Sequence, residues 1–413
     1  MNFVKIRKEQ ENYLLYFPSE RKTIIVNEMG AKIVELFFNK RYSMNDTICA
    51  IAEEYNTENT RNFVEEIRKF LLEIKSQILN NSVNVAEQTK LDYPIGAEIE
   101  ITTGCNLRCK HCFQGDYQEK FMPLEKFKHI VDILAQNYVY EINLVGGEIF
   151  YHKDIMSMLR YAASKGMAIT IVTNATLITD EMIDQLSKVD YLYVLISLDG
   201  NKKIHNYIRG QGTYDRVVNT AAKVKKMGIN TEFLFTLNSV NIMCYREVIE
   251  LSKQLDIPIN FNLFKPFDKL NHQELVISPE LFFEAIEELL TLRVKKGYKI
   301  GLSNAAIVAR ALGLPDKNEC TASLSGVVIN TDGQMLICPY LVECGFHKKE
   351  DLPEFNENFI KIWNESELFK KFRTGNMRNC QACSYIYSGN TMGFDPYGVD
   401  AYIEYSKNRF DNQ

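Results

Sequence analysis

Between Ile95 and Pro266 the hydrophobic period of the chain alternates six times between strand-like and helical spacing, and this restricts the fold more than any other feature. Strand-like runs lie at Ala97 to Thr102, Glu141 to Val145, Ala168 to Val172, Tyr191 to Ser197, Thr231 to Leu237 and Ile259 to Phe264. Helical runs at Leu124 to Gln136, Ile155 to Lys165, Asp180 to Ser187, Tyr214 to Lys226 and Tyr245 to Leu255 separate them. Successive parallel strands can be joined only by crossovers, so the pattern predicts a parallel α/β sheet curled into a partial (β/α)6 TIM-like barrel. Sites in such folds gather at the C-terminal ends of the strands.

Those ends carry unusual residues. Cys105, Cys109 and Cys112 follow the first strand, three thiols within eight residues. Three thiolates so close can wrap one corner of a compact iron-sulfur cluster and leave one of its four irons without a protein ligand. A zinc knuckle is the competing use of such a spacing. Gly146-Gly147-Glu148 follow the second strand, where the glycines allow close backbone approach and Glu148 can accept hydrogen bonds from an ammonium group. Thr173 and Asn174 end the third strand, Ser197-Leu198-Asp199-Gly200 end the fourth, and the run His205 to Gly210 comes soon after.

The cysteine spacing and these strand ends together resemble the signature of the radical S-adenosylmethionine (radical SAM) enzymes. The resemblance implies a [4Fe-4S] cluster on Cys105, Cys109 and Cys112, with SAM chelating the open iron. It implies cofactor contacts from Gly146, Gly147, Glu148, Thr173, Asn174, Ser197, Asp199 and Arg209, with Glu148 at the methionine amino group and Ser197 and Arg209 at the ribose and carboxylate. His111 fills the slot before the third cysteine, where that family usually has an aromatic residue. A 5'-deoxyadenosyl radical made from SAM would then take hydrogen from an unactivated carbon.

Residues 1–80 form a separate module: short alternating runs near Phe3 to Arg7, Tyr13 to Phe17 and Thr23 to Val26, then helices over Gly30 to Phe38, Ser43 to Tyr55 and Thr57 to Ile78. Strands followed by three short helices make a winged helix. From Asn45 to Ile78 it carries seven acidic residues against four basic, the wrong balance for reading DNA. It resembles the RiPP recognition element (RRE), a winged-helix domain that takes the leader of a peptide substrate as an added strand. Residues 81–94, polar and ending at Pro94, read as a linker.

After the barrel, 267–315 read as connecting helices, with Pro279 to Gly297 the clearest. Residues 316–413 read as a small β-hairpin and helix domain holding Cys320, Cys338, Cys344, Cys380 and Cys383. Asn330 to Gly333 is its hairpin turn, and a helix over Glu357 to Arg373 carries the only Trp. The group resembles the SPASM or Twitch extension of radical SAM enzymes. With no cysteine after Cys383, it matches the Twitch form, which implies one auxiliary [4Fe-4S] cluster on Cys320, Cys338, Cys380 and Cys383. A structural zinc site is the competing reading. Cys344 is surplus: a ligand, a packing residue or a thiol able to donate a hydrogen atom. Cys49 and Cys244 stand apart as packing residues.

The net charge of −5 in 413 residues gives no field for nucleic acid or an anionic membrane, no run is long enough to span a bilayer, and no secretory signal begins the chain. The expected setting is the cytoplasm. Module, barrel and second cluster together resemble a maturase of ribosomally made peptides. That implies a precursor peptide bound through its leader, an electron donor such as flavodoxin or ferredoxin, and oxidative formation of a thioether, ether or carbon-carbon cross-link. Peptide epimerisation, anaerobic sulfatase maturation and an iron-sulfur winged-helix transcriptional sensor are the alternatives.

Overall fold

The computed structural model describes residues 3–58, 60–79, 91–112, 118–266, 273–302, 322, 324–343, 347–374 and 399–410. Strands β1 (Lys5–Glu9), β2 (Asn12–Phe17) and β3 (Lys22–Val26) form an antiparallel sheet in chain order. Asn27 caps α1 (Glu28–Val34) by accepting the Gly30 amide hydrogen, and a π-helical turn at Glu35–Asn39 extends it. Ser43 caps α2 (Met44–Glu54) in the same way through Asp46, and α3 (Arg61–Leu79) follows. Ile67, Leu71, Ile74 and Ile78 recur at helical spacing along α3 and close on Leu15, Phe17, Val34 and Ile51 as a core of their own. Cys49, expected to pack, is exposed on α2, whereas Cys244 is buried.

This module is packed against the next unit. Leu14 and Tyr16 share a second apolar cluster with Leu91, Ile95, Tyr140 and Ala168, and the Tyr16 and Tyr140 rings stack at 5.2 Å. Arg7 is buried, pairs with Glu9, and donates to the carbonyls of Tyr93, Pro94 and Tyr138. A buried guanidinium is tolerated only when its donors are met in this way. Arg21, in the turn between β2 and β3, reaches further. It donates to Thr170 Oγ1 at 2.6 Å and to the carbonyls of Ile169 and Tyr191 at 2.7 and 2.9 Å. Leu91 to Pro94, read as the end of a linker, take part in this contact; 81–90 lie outside the described residues.

Beyond it, β4 (Gly96–Thr102), β5 (Glu141–Gly146), β6 (Ala168–Thr173), β7 (Leu192–Ser197), β8 (Asn230–Leu237) and β9 (Ile259–Leu263) pair in parallel, in chain order. Ala97, Ile99 and Ile101 of β4 share one continuous core with Phe127, Ile130 and Leu134 of α4 (Leu124–Gln136), and the crossover helices α5 (Ile155–Ser164) and α6 (Asp180–Leu186) bury apolar residues in the same core. The α/β class and the mostly parallel sheet are as expected.

Two strands extend it. β10 (Ile300–Leu302) pairs in parallel with β9, where the sequence had suggested only connecting helices; three residues are too few to show a period. β11 (Gly326–Ile329) pairs in parallel with β4 and leads into β12 (Met335–Leu336). The hairpin expected in a separate C-terminal domain thus continues the barrel sheet. An open barrel leaves the N–H and C=O groups along its first strand unpaired, and β11 meets that demand. The expected helix over Glu357 to Arg373 is broken at Ser366 into Phe359–Glu365 and Glu367–Thr374, and Trp363 is fully buried with Nε1 3.4 Å from the Leu91 carbonyl. Among the described residues no helix is long and apolar enough to cross a membrane.

Candidate active site

The site is built at the C-terminal ends of β4 to β7. Just past β4, Gly104 donates to Thr102 Oγ1 at 2.9 Å, which turns the chain into the cysteine loop. The end of β5 is laced to this turn: Gly147 N–H donates to Thr102 O and Glu148 N–H to Gly104 O, both at 2.9 Å. A Cβ on Gly147 would stand 2.3 Å from Gly104 O, and one on Gly146, where φ is +153°, would stand 2.1 Å from Thr102 O. The close approach these glycines permit is therefore between two strand ends, immediately before Cys105.

The three cysteines of the loop are half-buried. Cys105 Sγ accepts from Leu107 N–H at 3.4 Å and has Asn174 Nδ2 at 4.0 Å; Cys109 Sγ has Arg209 Nη1 at 3.9 Å. Nitrogen donors aimed at sulfur suit thiolates. Burial pushes the Cys109 thiol up to about 11 and the Cys105 thiol upward, so without metal these two thiols hold their protons and a metal must displace them. Among the described residues no three His, Cys, Asp or Glu side chains meet at one metal-ion position. A cluster that gives each thiol its own iron asks for no such meeting point, and three soft sulfurs fit it.

Glu148 is fully buried beside the loop. Its carboxylate accepts from Thr173 Oγ1 at 2.6 Å, Asn174 N–H at 2.6 Å and Phe150 N–H at 3.1 Å. A carboxylate offers about four acceptor positions, so three donors leave one open. Burial raises its pKa above the usual carboxylate range in spite of those donors, and an arriving ammonium would favour the charged form. Asn174 also donates to Asn106 Oδ1 at 3.0 Å, and Asn106 to Thr176 Oγ1 at 2.9 Å, tying the cysteine loop to the end of β6.

Beyond β7 lies a buried charge group. Ser197 ends the strand, nearly buried. Asp199 is fully buried, accepts Thr236 N–H at 2.8 Å, forms an ion pair with Arg209 Nε, and lies 3.5 Å from His111 Nε2. Burial opposes its ionisation, but Arg209, His111 and the Thr236 amide outweigh burial and hold it below the ordinary carboxylate value. Arg209, carried by α7 (Lys202–Arg209), thus joins Asp199 to the sulfur of Cys109. His205 was no expected site residue, although it lies in the run flagged after β7. It is fully buried and accepts Asp199 N–H on Nδ1 at 3.1 Å. Its one legible signal is Asn201, four residues earlier, whose side chain caps α7.

Burial, reinforced by Arg209, lowers the His205 pKa from 6.5 to about 4. The unfolded chain would take up this proton near pH 6.5 and the folded chain only near 4, so the contribution to stability is full above 6.5 and is lost as pH falls toward 4. The loss is roughly 3 kcal/mol. Urea titrations should find the pH dependence over this window weaker by that amount in His205→Gln; equal slopes in the two proteins would contradict the assignment.

Of the later cysteines, Cys338 is described, half-buried just after β12; Cys320, Cys344, Cys380 and Cys383 lie outside the described residues.

The region that carries the cysteine loop and the strand ends, residues 99–252, matches the family model of the Radical SAM superfamily. Among curated proteins the chain is similar to mycofactocin maturase MftC of Mycolicibacterium smegmatis, 25% identical over 305 residues that make up 72% of this chain and 77% of MftC. It is also similar to the AdoMet-dependent heme synthase of Oleidesulfovibrio alaskensis, 24% identical and matched over 72% of this chain and 85% of the synthase. Among solved structures, Streptococcus suis SuiB bound to its precursor peptide SuiA shares the fold with a TM-score of 0.68 at 16% identity, covering 90% of this chain and 89% of SuiB.

Proposed function

We propose that the chain is a radical SAM maturase that oxidatively cross-links residues of a ribosomally made precursor peptide, acting in the cytoplasm. The observation that carries this is the meeting, at four successive strand ends, of three cysteines, a buried carboxylate with one open acceptor position, and a buried Asp–Arg pair reaching a cysteine sulfur. Cys105, Cys109 and Cys112 would hold a [4Fe-4S] cluster, whose supply of an electron to SAM gives the 5'-deoxyadenosyl radical. Glu148 would take the SAM ammonium in its open position. Arg209 would offset the negative charge of the thiolates, with Asp199 and His111 fixing its direction. Thr173 and Asn174 would keep Glu148 aimed, and Ser197 would contact the ribose. Cys320, Cys338, Cys380 and Cys383 would hold the second cluster, an acceptor for the electron that an oxidative coupling leaves behind; Cys344 would pack or ligate.

A peptide substrate is supported by the maturase among the relatives and by the fold shared with SuiB, which is bound to a precursor peptide. The three-stranded sheet and helices of residues 3–79 would act as the RRE and hold the leader. The heme synthase among the relatives supports a porphyrin as the competing substrate. Anaerobic reconstitution with iron, sulfide, SAM, dithionite and the precursor peptide separates these readings. The expected result is 5'-deoxyadenosine together with a peptide lighter by two hydrogens per cross-link. A peptide of unchanged mass rejects the cross-link, and D-residues in it would make the enzyme an epimerase.

A further inference from the structure

A cavity of about 650 Å³ lies at the junction of the N-terminal module and the barrel. Lys5, Ile6 and Tyr13 wall it from the module, and Tyr138, Val139 and Tyr140 from the chain between α4 and β5. Its volume is in the range of small-molecule sites. Two side chains of its wall are left unmatched. Lys5 Nζ is desolvated enough that its pKa falls to about 8. It donates to the Gly166 carbonyl and stands 5.5 Å from the centroid of the Tyr140 ring, but has no acidic partner among the described residues. Tyr140 is 4% exposed, and its hydroxyl is buried with no hydrogen-bond partner among the described residues. Buried hydroxyls ordinarily have one.

The other charges around the cavity are accounted for. Lys32 pairs with Glu54 at 3.2 Å, Glu35 with Lys40 at 3.3 Å and Lys165 with Asp132 at 2.6 Å, while Glu28 is exposed at the rim. What remains is an ammonium without a counter-charge beside a phenol without an acceptor. A single oxyanion answers both.

We propose that this cavity is a binding site for a small aromatic or aliphatic monocarboxylate, with its carboxylate on Lys5 and the Tyr140 hydroxyl and its apolar body against Ile6, Tyr13 and Tyr138. One unmatched ammonium suits one negative charge, and Glu28 at the rim opposes a second, which disfavours phosphate. The carboxylate can belong to a free acid or to the C-terminus of a peptide. The site is remote from the cysteine loop and stands whatever reaction occurs there. Its walls come from both units, so an occupant stabilises the contact between module and barrel.

Saturation-transfer NMR on the full-length holoenzyme, with SAM in excess, tests the site with hydrocinnamate. The acid should bind with a Kd of about 1 mM or tighter, and hydrocinnamide, of the same shape without the charge, about tenfold more weakly. Lys5→Met should weaken the acid about tenfold or more, and Tyr140→Phe about threefold. Tyr140→Phe removes only an unbonded hydroxyl, so it keeps the test open if Lys5→Met fails to fold. Acetyl-Gly-Phe with a free C-terminus separates the two sources: affinity above that of hydrocinnamate assigns the site to a peptide end, and lower affinity assigns it to a free acid. Binding of neither acid, equal binding of hydrocinnamate and hydrocinnamide, or unchanged affinity in both variants would overturn the site.

Discussion

Cys109→Ala should fold normally, fall short of the parent by about four irons per chain after reconstitution, and release no 5'-deoxyadenosine with dithionite and SAM. The expectation follows from the position of the sulfur. It is half-buried between the loop and α7, within 3.9 Å of Arg209, and no neighbouring thiol on the loop is spare. Removing one sulfur creates a small gap at the surface of the core, so the stability cost is modest while the metal site loses a third of its protein ligands. Cys49→Ala, at an exposed position of α2, should leave both readouts unchanged. Metal analysis also separates the cluster from a zinc knuckle. A parent that takes up a single zinc and no iron, or a Cys109→Ala variant that still cleaves SAM, would refute the assignment.

Asp199→Ala should destabilise the fold by about 3–5 kcal/mol, because it leaves the Arg209 guanidinium buried without its counter-charge. Arg209 is almost fully enclosed, and burial alone works against its charge; Asp199 is the strongest influence holding that charge in place. Asp199→Ala combined with Arg209→Met removes both charges and should recover most of that loss, since an apolar replacement of a buried ion pair is often neutral. SAM binding should not recover with it. Urea denaturation read beside equilibrium dialysis of SAM gives the contrast. If the double variant were as unstable as Asp199→Ala, the pair would matter for packing rather than for charge.

Much of the barrel is legible in the sequence because each of its six strands is long enough for its period to differ from that of the helix after it. The strand ends are legible for a related reason: cysteine, Gly-Gly-Glu and Asp at the close of apolar runs are costly residues in places where packing alone would not select them. What stays hidden is long-range. Nothing near Gly326–Ile329 announces that it will lie beside Gly96–Ile99, because pairing between strands so far apart in sequence leaves no local period. Arg21 reads as an ordinary turn residue; its three acceptors on β6 and the chain before β7 come within reach only once the barrel has closed. Asp199 and Arg209 are each expected from the sequence to contact the cofactor, but nothing there announces their pairing with each other and with His111, which depends on α7 folding back over the cysteine loop.

The contact made by Arg7, Arg21 and Tyr16 has a consequence for reach. It seats the N-terminal module at the starts of the barrel strands, whereas the cysteine loop lies past their far ends. The seven residues of β4 alone put about 20 Å between the two levels. A substrate gripped by the module, as proposed above, would have to cover that height before any of its atoms met the chemistry, a stretch of roughly six extended residues at the least. Held in this way, the module would work as a measuring rod: the distance along the substrate from its handle to its reacting residue would be set by the height of the enzyme.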